Sequence, residues 1–386
     1  VTLLGYQAGN VIASGDINNT MIGHMAGLAT TGAYNTYVGF SAGKGASGAD
    51  GYNVGVGNNA LFAVTTGNQN VAVGYDALAA LTDGEVNTAL GVRAGLAMLT
   101  GDKNVFVGKD AADSATACSS VIAIGHDAMH TVTTSTDVDG TVAIGESALA
   151  ALTGGAENTA IGYHAGKAMT VGGNLTAVGY NAAPALTLGA NANTAIGGNA
   201  LLLGNDASTD HNTCVGYQAG DVITTGHTNT IIGSGSDPSA AGGTNQTVVG
   251  YGATGVANNS VTLGNTSVTN WYMRSTVTSP TLEILSTIDP SGHAGAIGGT
   301  LTLGLYNNLT GGAGNDTEAG DILGQVEFKG QGSDYTYQAA RIACFVQTGD
   351  GSATRAEQGT YLSFSTTNVG ATGYAEWMRL DQAGNL

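Results

Sequence analysis

Residues able to do chemistry are few, and most sit in slots that a repeat fills with something else. Gly39-Phe40-Ser41-Ala42-Gly43 matches the G-x-S-x-G turn that presents a nucleophilic serine, and it follows a strand-like run. The same slot reads Gly-His-Met-Ala-Gly at 23–27 and Gly-Val-Arg-Ala-Gly at 91–95, so the serine occupies a variable position and no catalysis is expected there. Gly311 to Ala319 is like one calcium-binding nonapeptide. Glu318 stands where a large apolar residue belongs, and no second copy stacks on it, so a polar turn is the better reading. His126 and His130, four apart, would pair on a helix. No helical pattern surrounds them, and His24 and His126 fall at a solvent-facing slot. Cys118, Cys214 and Cys344 are odd in number and far apart; they read as small apolar fillers, not as ligands or a disulfide framework. Acids such as Asp76, Glu146 and Asp206 are scattered, where a polysaccharide-cleaving site needs them gathered. The sequence therefore assigns no catalytic residue, no cofactor and no metal ligand.

Two other features have binding potential. Tyr6, Tyr75, Tyr163, Tyr180, Tyr217 and Tyr251 share one exposed slot, and a tyrosine row can stack on sugar rings, although packing between neighbouring coils accounts for it more simply. Residues 129–140 and 201–211 lengthen their repeats, and insertions of this kind emerge on one face and often bind, although a tolerant loop also drifts without consequence.

The elements that must hold these residues are unusual. Of 386 residues, 63 are glycine and only 4 proline; 42% are hydrophobic and 10% charged. Collagen would need glycine at every third position, and Gly-rich disorder would lack the aliphatic residues. What fits is a fold with many tight turns that still buries small apolar side chains. The net charge of −18 disfavours nucleic acid and anionic membranes, and suits a soluble, self-repelling surface. No run of 18 apolar residues exists, so no membrane insertion is expected. The chain opens inside a repeat, at Val1 to Gly5, and reads as a fragment or processed segment.

That repeat dominates the sequence. Asn158-Thr-Ala-Ile-Gly-Tyr-His-Ala-Gly166 matches Asn87-Thr-Ala-Leu-Gly-Val-Arg-Ala-Gly95 and Asn212-Thr-Cys-Val-Gly-Tyr-Gln-Ala-Gly220. Sixteen anchor glycines follow, among them Gly74, Gly91, Gly108, Gly162 and Gly216, mostly 17 residues apart. Counting from the anchor, position −1 is always Val, Ile or Leu, position −3 always Thr, Val or Ile, and position +3 Ala or Ser. A 17-residue unit is too short for strand, crossover helix and strand, and suits one lap of a parallel β-solenoid. Positions −1 and −3 share a strand face, and their β-branching favours pleated structure. On this reading they point inward, and Val73, Leu90, Val107, Ile124, Ile144 and Ile161 form the core ladder. The alanine at +3 points in as well, the residue at +1 meets solvent, and asparagine at −4, in 10 of the 16 units, forms a buried or corner amide ladder. Position −2 then faces outward. Phe106, Cys214, Ile231 and Val248 are apolar there, which points to contact with another copy of the chain.

These tandem units resemble the left-handed parallel β-roll heads of trimeric autotransporter adhesins, and more closely those of bacteriophage tail fibres and tail spikes. Asn259 to Thr269 is similar to the unit that closes such a roll, and Asn270 to Ser279 to the neck after it. Gly320 to Phe328 and Glu376 to Asn385 are similar to tail-fibre regions that precede an intramolecular chaperone. The resemblance implies a homotrimeric fibre of about 16 coils, built as a β-roll over 1–264, a connector over 265–290 and an antiparallel β domain over 291–386. Alternating runs at 300–306, 322–328, 337–346 and 360–364, with a last strand carrying Trp377 and Met378, are the strands of that domain. The implied function is a rigid, non-enzymatic spacer of an extracellular virion tail. Its partners would be other tail or fibre proteins and a host cell-surface glycan or protein. A bacterial cell-surface adhesin and a polysaccharide-degrading spike are the rival readings.

Overall fold

The computed structural model describes residues 1–12, 15, 17–45, 51–132, 138–187 and 191–268, and four strands within 322–380. The chain divides into two units, Val1–Tyr272 and Met273–Leu386. No α-helix occurs among the described residues. Most of the expected connector, the strand at 300–306, the nonapeptide-like turn at 311–319 and residues 133–137 of the first long loop lie outside the described residues.

The first unit is a parallel β-solenoid. Its sixteen strands, β1 (Thr2–Leu4) to β16 (Ser260–Leu263), form one sheet in sequence order. Every neighbouring pair is parallel and in register. Val73 lies against Leu90, Leu90 against Val107, and Val107 against Ile124. At the strand spacing of ~4.8 Å the sheet extends roughly 70 Å. Between the two end strands, fourteen laps each bury the middle residue of their strand; β1 and β16 do not.

Each strand is three or four residues long because the anchor glycine ends it. From Gly5 to Gly250 the anchors hold φ between +132° and +144°, a conformation open in practice only to glycine. A Cβ there would also strike the carbonyl of the anchor one lap on, at 2.5 Å for Gly108 against the Gly125 oxygen. Two independent constraints thus hold glycine at this position.

The inside of the coil differs from the expectation. Position −2 points inward: Phe106, Cys214, Ile231 and Val248 are fully buried, as are Met21, Tyr37 and the alanines at this position. The expected core ladder points outward. Leu90 is 50% and Ile161 37% exposed, and Val73, Val107, Ile124 and Ile144 are half-buried. The cause is strand alternation combined with a thin coil. One side chain per strand enters the lumen, and it shares its face with the asparagine two residues earlier. Lumen volume is exchanged between position −2 and position +4, within several laps and, where both are small as at Ala89 and Gly95, with Phe106 and Leu78 of the neighbouring laps. Small Gly55, Ala72, Ala143 and Ala195 accompany Leu61, Leu78, Leu149 and Leu201. Bulky Tyr37 and Met21 accompany Gly43 and Gly27, whose missing Cβ atoms make room for them.

The other expected inward positions are found inside. The alanines at +3 are buried, and the amide ladder is continuous over several laps. Asn87 donates from Nδ2 to Asn70 Oδ1 (3.1 Å) and to the Gly101 carbonyl (2.9 Å). Its own Oδ1 accepts from the backbone N–H (3.1 Å) and Nδ2 (2.9 Å) of Asn104. Cys118 and Cys214 are buried free thiols, pushed up to about 12 chiefly by burial, which fits their reading as fillers.

The second unit contains a four-stranded antiparallel meander: β17 (Ile322–Gln331), β18 (Thr336–Val346), β19 (Thr360–Thr366) and β20 (Ala375–Leu380). These strands coincide with four of the alternating runs. Ser363 and Ser365 are buried in β19 with their hydroxyls 3.0 Å apart.

Candidate functional site

Three surfaces of the solenoid carry functional potential. The first is the outer face of the sheet, where positions −1 and −3 form rows of Val, Ile, Leu and Thr one above another. Leu4, Leu90, Ile161, Ile196, Ile232 and Leu263 are among its exposed rungs. An apolar stripe of this length is far larger than the scattered apolar residues of an ordinary surface.

The second is the column at position +1. All six tyrosines of the expected row are exposed. Tyr6, His24 and Phe40 stack with centroids 5.3 and 5.1 Å apart, and Tyr163 stacks on Tyr180 at 5.4 Å. Rings stacked this way cover one another's faces and turn their edges outward, as packing between coils requires.

The third was not assembled from the sequence. Successive laps place Arg93, Asp110 and Asp127 in one column at position +2, and Asp113 and His130 in another at position +5. The backbone N–H groups of Asp110 and Asp127 bond to the carbonyls of Val92 and Lys109 in the preceding laps. Arg93 joins both columns, with Nε 3.3 Å from Asp110 Oδ1 and Nη2 2.7 Å from Asp113 Oδ2. His130 Nδ1 lies 2.8 Å from Asp113 Oδ1 and 4.0 Å from Asp127 Oδ1, and His126 Nδ1 3.3 Å from Asp127 Oδ2. Lys109 contacts Asp110 Oδ2. A helical repeat would pair His126 with His130, but no helix is present here. The repeat that matters is the lap, and equal offsets from Gly91, Gly108 and Gly125 would have aligned these groups.

The remaining candidates resolve individually. Ser41 is 2% exposed, so its Oγ is closed to a substrate carbonyl. In the loop at 201–211, Asp206 accepts from the Ser208 N–H and hydroxyl, which hold its carboxyl below the usual range, while Thr209 is buried and donates to the Thr224 carbonyl.

Asp237 is raised to about 6, first by burial and then by the charge of Asp221, which burial also raises. A carboxyl raised in the folded state destabilises the fold once it must ionise. Stability is therefore complete near pH 4, declines as pH rises to about 6, and stays reduced above that. Asp237→Asn should raise the melting temperature at pH 7.5 by about 2 °C, a modest shift for a half-exposed group. Thermal scans should show the gain shrinking toward zero at pH 4.

Strand order, register and lap length define a parallel β-solenoid repeat protein. No protein-family model matches the chain, and no curated protein sequence matches it.

Proposed function

We propose that this chain is one strand of a homotrimeric, left-handed β-roll fibre, a structural and non-enzymatic spacer of a phage tail. It stands outside the cell, joins other tail or fibre proteins, and presents host-surface binding loops. The observation that carries this reading is the apolar outer face of the sheet. A half-exposed Val or Ile leaves roughly 1 kcal/mol of burial unrealised. Sixteen such rungs leave of order 15 kcal/mol, enough to meet an association cost of about 4–15 kcal/mol. The rungs repeat at the strand spacing, so a second and third copy of the same ladder is the surface that matches them rung for rung. Three parallel copies also multiply weak surface contacts through multivalency. The likeness of the repeat units to phage tail-fibre rolls supplies the number three and the setting.

The test is a double substitution on the exposed stripe, Leu90→Asp with Ile161→Asp, in the full chain. Both side chains lie outside the lumen, so the β-sheet signal in circular dichroism should persist while light scattering shows the assembly falling to single chains. An assembly that survives both charges would show that this face does not join the copies.

A further inference from the structure

We propose that Tyr180 and Tyr217 flank a slot, one ring deep, that takes a neutral pyranose of a glycan. The slot is a gap in the aromatic column at position +1. Tyr163 and Tyr180 stack at 5.4 Å with their planes 6° apart, so one face of Tyr180 is covered. The next lap puts Gly198 in the column, which offers no side chain to the second face. Tyr217 follows one lap further on, two strand spacings or about 9.6 Å from Tyr180 along the rod. Tyr180 is 57% and Tyr217 56% exposed.

A second observation points to a ligand: no backbone constraint requires this glycine. It is the one glycine among the sixteen residues at position +1. Its φ lies outside the left-handed region, and a Cβ built on it would meet its nearest neighbour, Tyr217 Cδ2, at 3.4 Å, an ordinary van der Waals contact. The anchor glycines differ on both counts. A side chain would fit the fold here, and a ring would complete the stack from Tyr163 to Tyr217. Gly198 keeps that place open. Tyr217 leans over it, and an exposed ring can turn back toward the pose of Tyr180 without moving the backbone.

The chemistry around the slot selects the ligand. Aromatic faces pack against the C–H face of a sugar ring, and amides bond its hydroxyls. Position +2, beside the rings, carries Asn181, Asn199 and Gln218, all partly exposed. Their backbone N–H groups bond to the carbonyls of Tyr163, Tyr180 and Gly198 in the preceding laps (2.9, 2.8 and 2.9 Å), which holds the three residues in a column next to the column of rings. Positions +1 and +2 of these laps carry no charge, so a neutral sugar fits and a sialic or uronic acid has no cation to meet there. The inference gives chemistry to the host-surface contact proposed above and rests on that reading only for the source of the glycan. The slot itself belongs to a single chain.

The experiment uses the full chain with the methyl glycosides of β-D-glucose, β-D-galactose and α-D-mannose, read by saturation-transfer NMR. At least one should take saturation, strongest on the C–H protons of one ring face, and methyl β-D-glucuronide should take less. Gly198→Leu fills the slot and should weaken binding at least tenfold with no fall in melting temperature. Tyr180→Ala should weaken it at least fivefold, whereas Tyr75→Ala, elsewhere in the column, should leave it unchanged. Saturation reaching none of the three sugars, binding retained in Gly198→Leu or Tyr180→Ala, or tighter binding of the glucuronide or of benzyl alcohol than of every neutral sugar would overturn the proposal. Oligomeric state is read separately by light scattering, so failure of the slot and failure of the fibre reading are distinguishable.

Discussion

Replacing Gly108 with alanine is expected to destabilise the solenoid by about 4 kcal/mol, through strain in the backbone and collision with it. Gly108 holds φ at +132°, and the new Cβ would lie 2.5 Å from the Gly125 carbonyl oxygen. That oxygen belongs to the backbone of the next lap and cannot move without disturbing the sheet hydrogen bonds on either side. Because each lap touches only its neighbours, the damage should be local at first and divide the stack. Hydrogen exchange should show the laps around Gly108 losing protection before those near Gly216. Gly154 is the control: a Cβ there meets nothing within 4 Å, and Gly154→Ala should change stability by less than about 0.5 kcal/mol. Equal urea midpoints for Gly108→Ala and the parent would refute the stacking described here.

The second large effect is expected from the amide ladder. Asn87→Ala removes one rung and leaves two buried groups without their ladder partner, the Gly101 carbonyl and the Asn104 backbone N–H, while Asn70 Oδ1 keeps the backbone N–H of residue 87 and Asn104 Nδ2 keeps the Cys118 carbonyl. Orphaned buried groups cost about 1–3 kcal/mol each before relaxation, so a net loss of about 3 kcal/mol is expected in urea unfolding. One of the chain's exceptions to the ladder fits this. Val121 replaces asparagine in one lap, and the next is lengthened so that the Val138 carbonyl takes the Thr141 N–H that a ladder amide would have taken. No such insertion accompanies Asn87. A loss below about 0.5 kcal/mol would mean that the ladder is incidental to stability.

Much of the fold was legible in the sequence, and the part misread has a definite cause. The spacing of the anchors, from Gly74 through Gly91 to Gly108, identified the lap, and the register of Val73, Leu90 and Val107 follows from it. The inward alanines and the asparagine ladder were readable because a small residue or an amide repeated at a fixed offset is needed only in a crowded lumen. Hydrophobicity alone inverts the facing of the strand, because it assigns the β-branched residues at −1 and −3 to the core. Parity would have corrected this. Asparagine at −4 and the residue at −2 are two apart in a strand, so a buried amide carries position −2 inward with it. The size exchange between Tyr37 and Gly43, or Ala72 and Leu78, points the same way. The cluster around Asp110 escaped because its members are 17 and 20 residues apart, at offsets that become neighbours only when lap is laid on lap.

With the lumen filled by position −2, the aliphatic rows on the outer face stay exposed on a single chain, and the proposed self-association through them is the central claim. The most direct test is the absolute mass of the unaltered chain by light scattering at micromolar concentration. The proposed homotrimer should weigh three times the 38.1 kDa of one chain. A mass of 38.1 kDa that holds as concentration rises would contradict it.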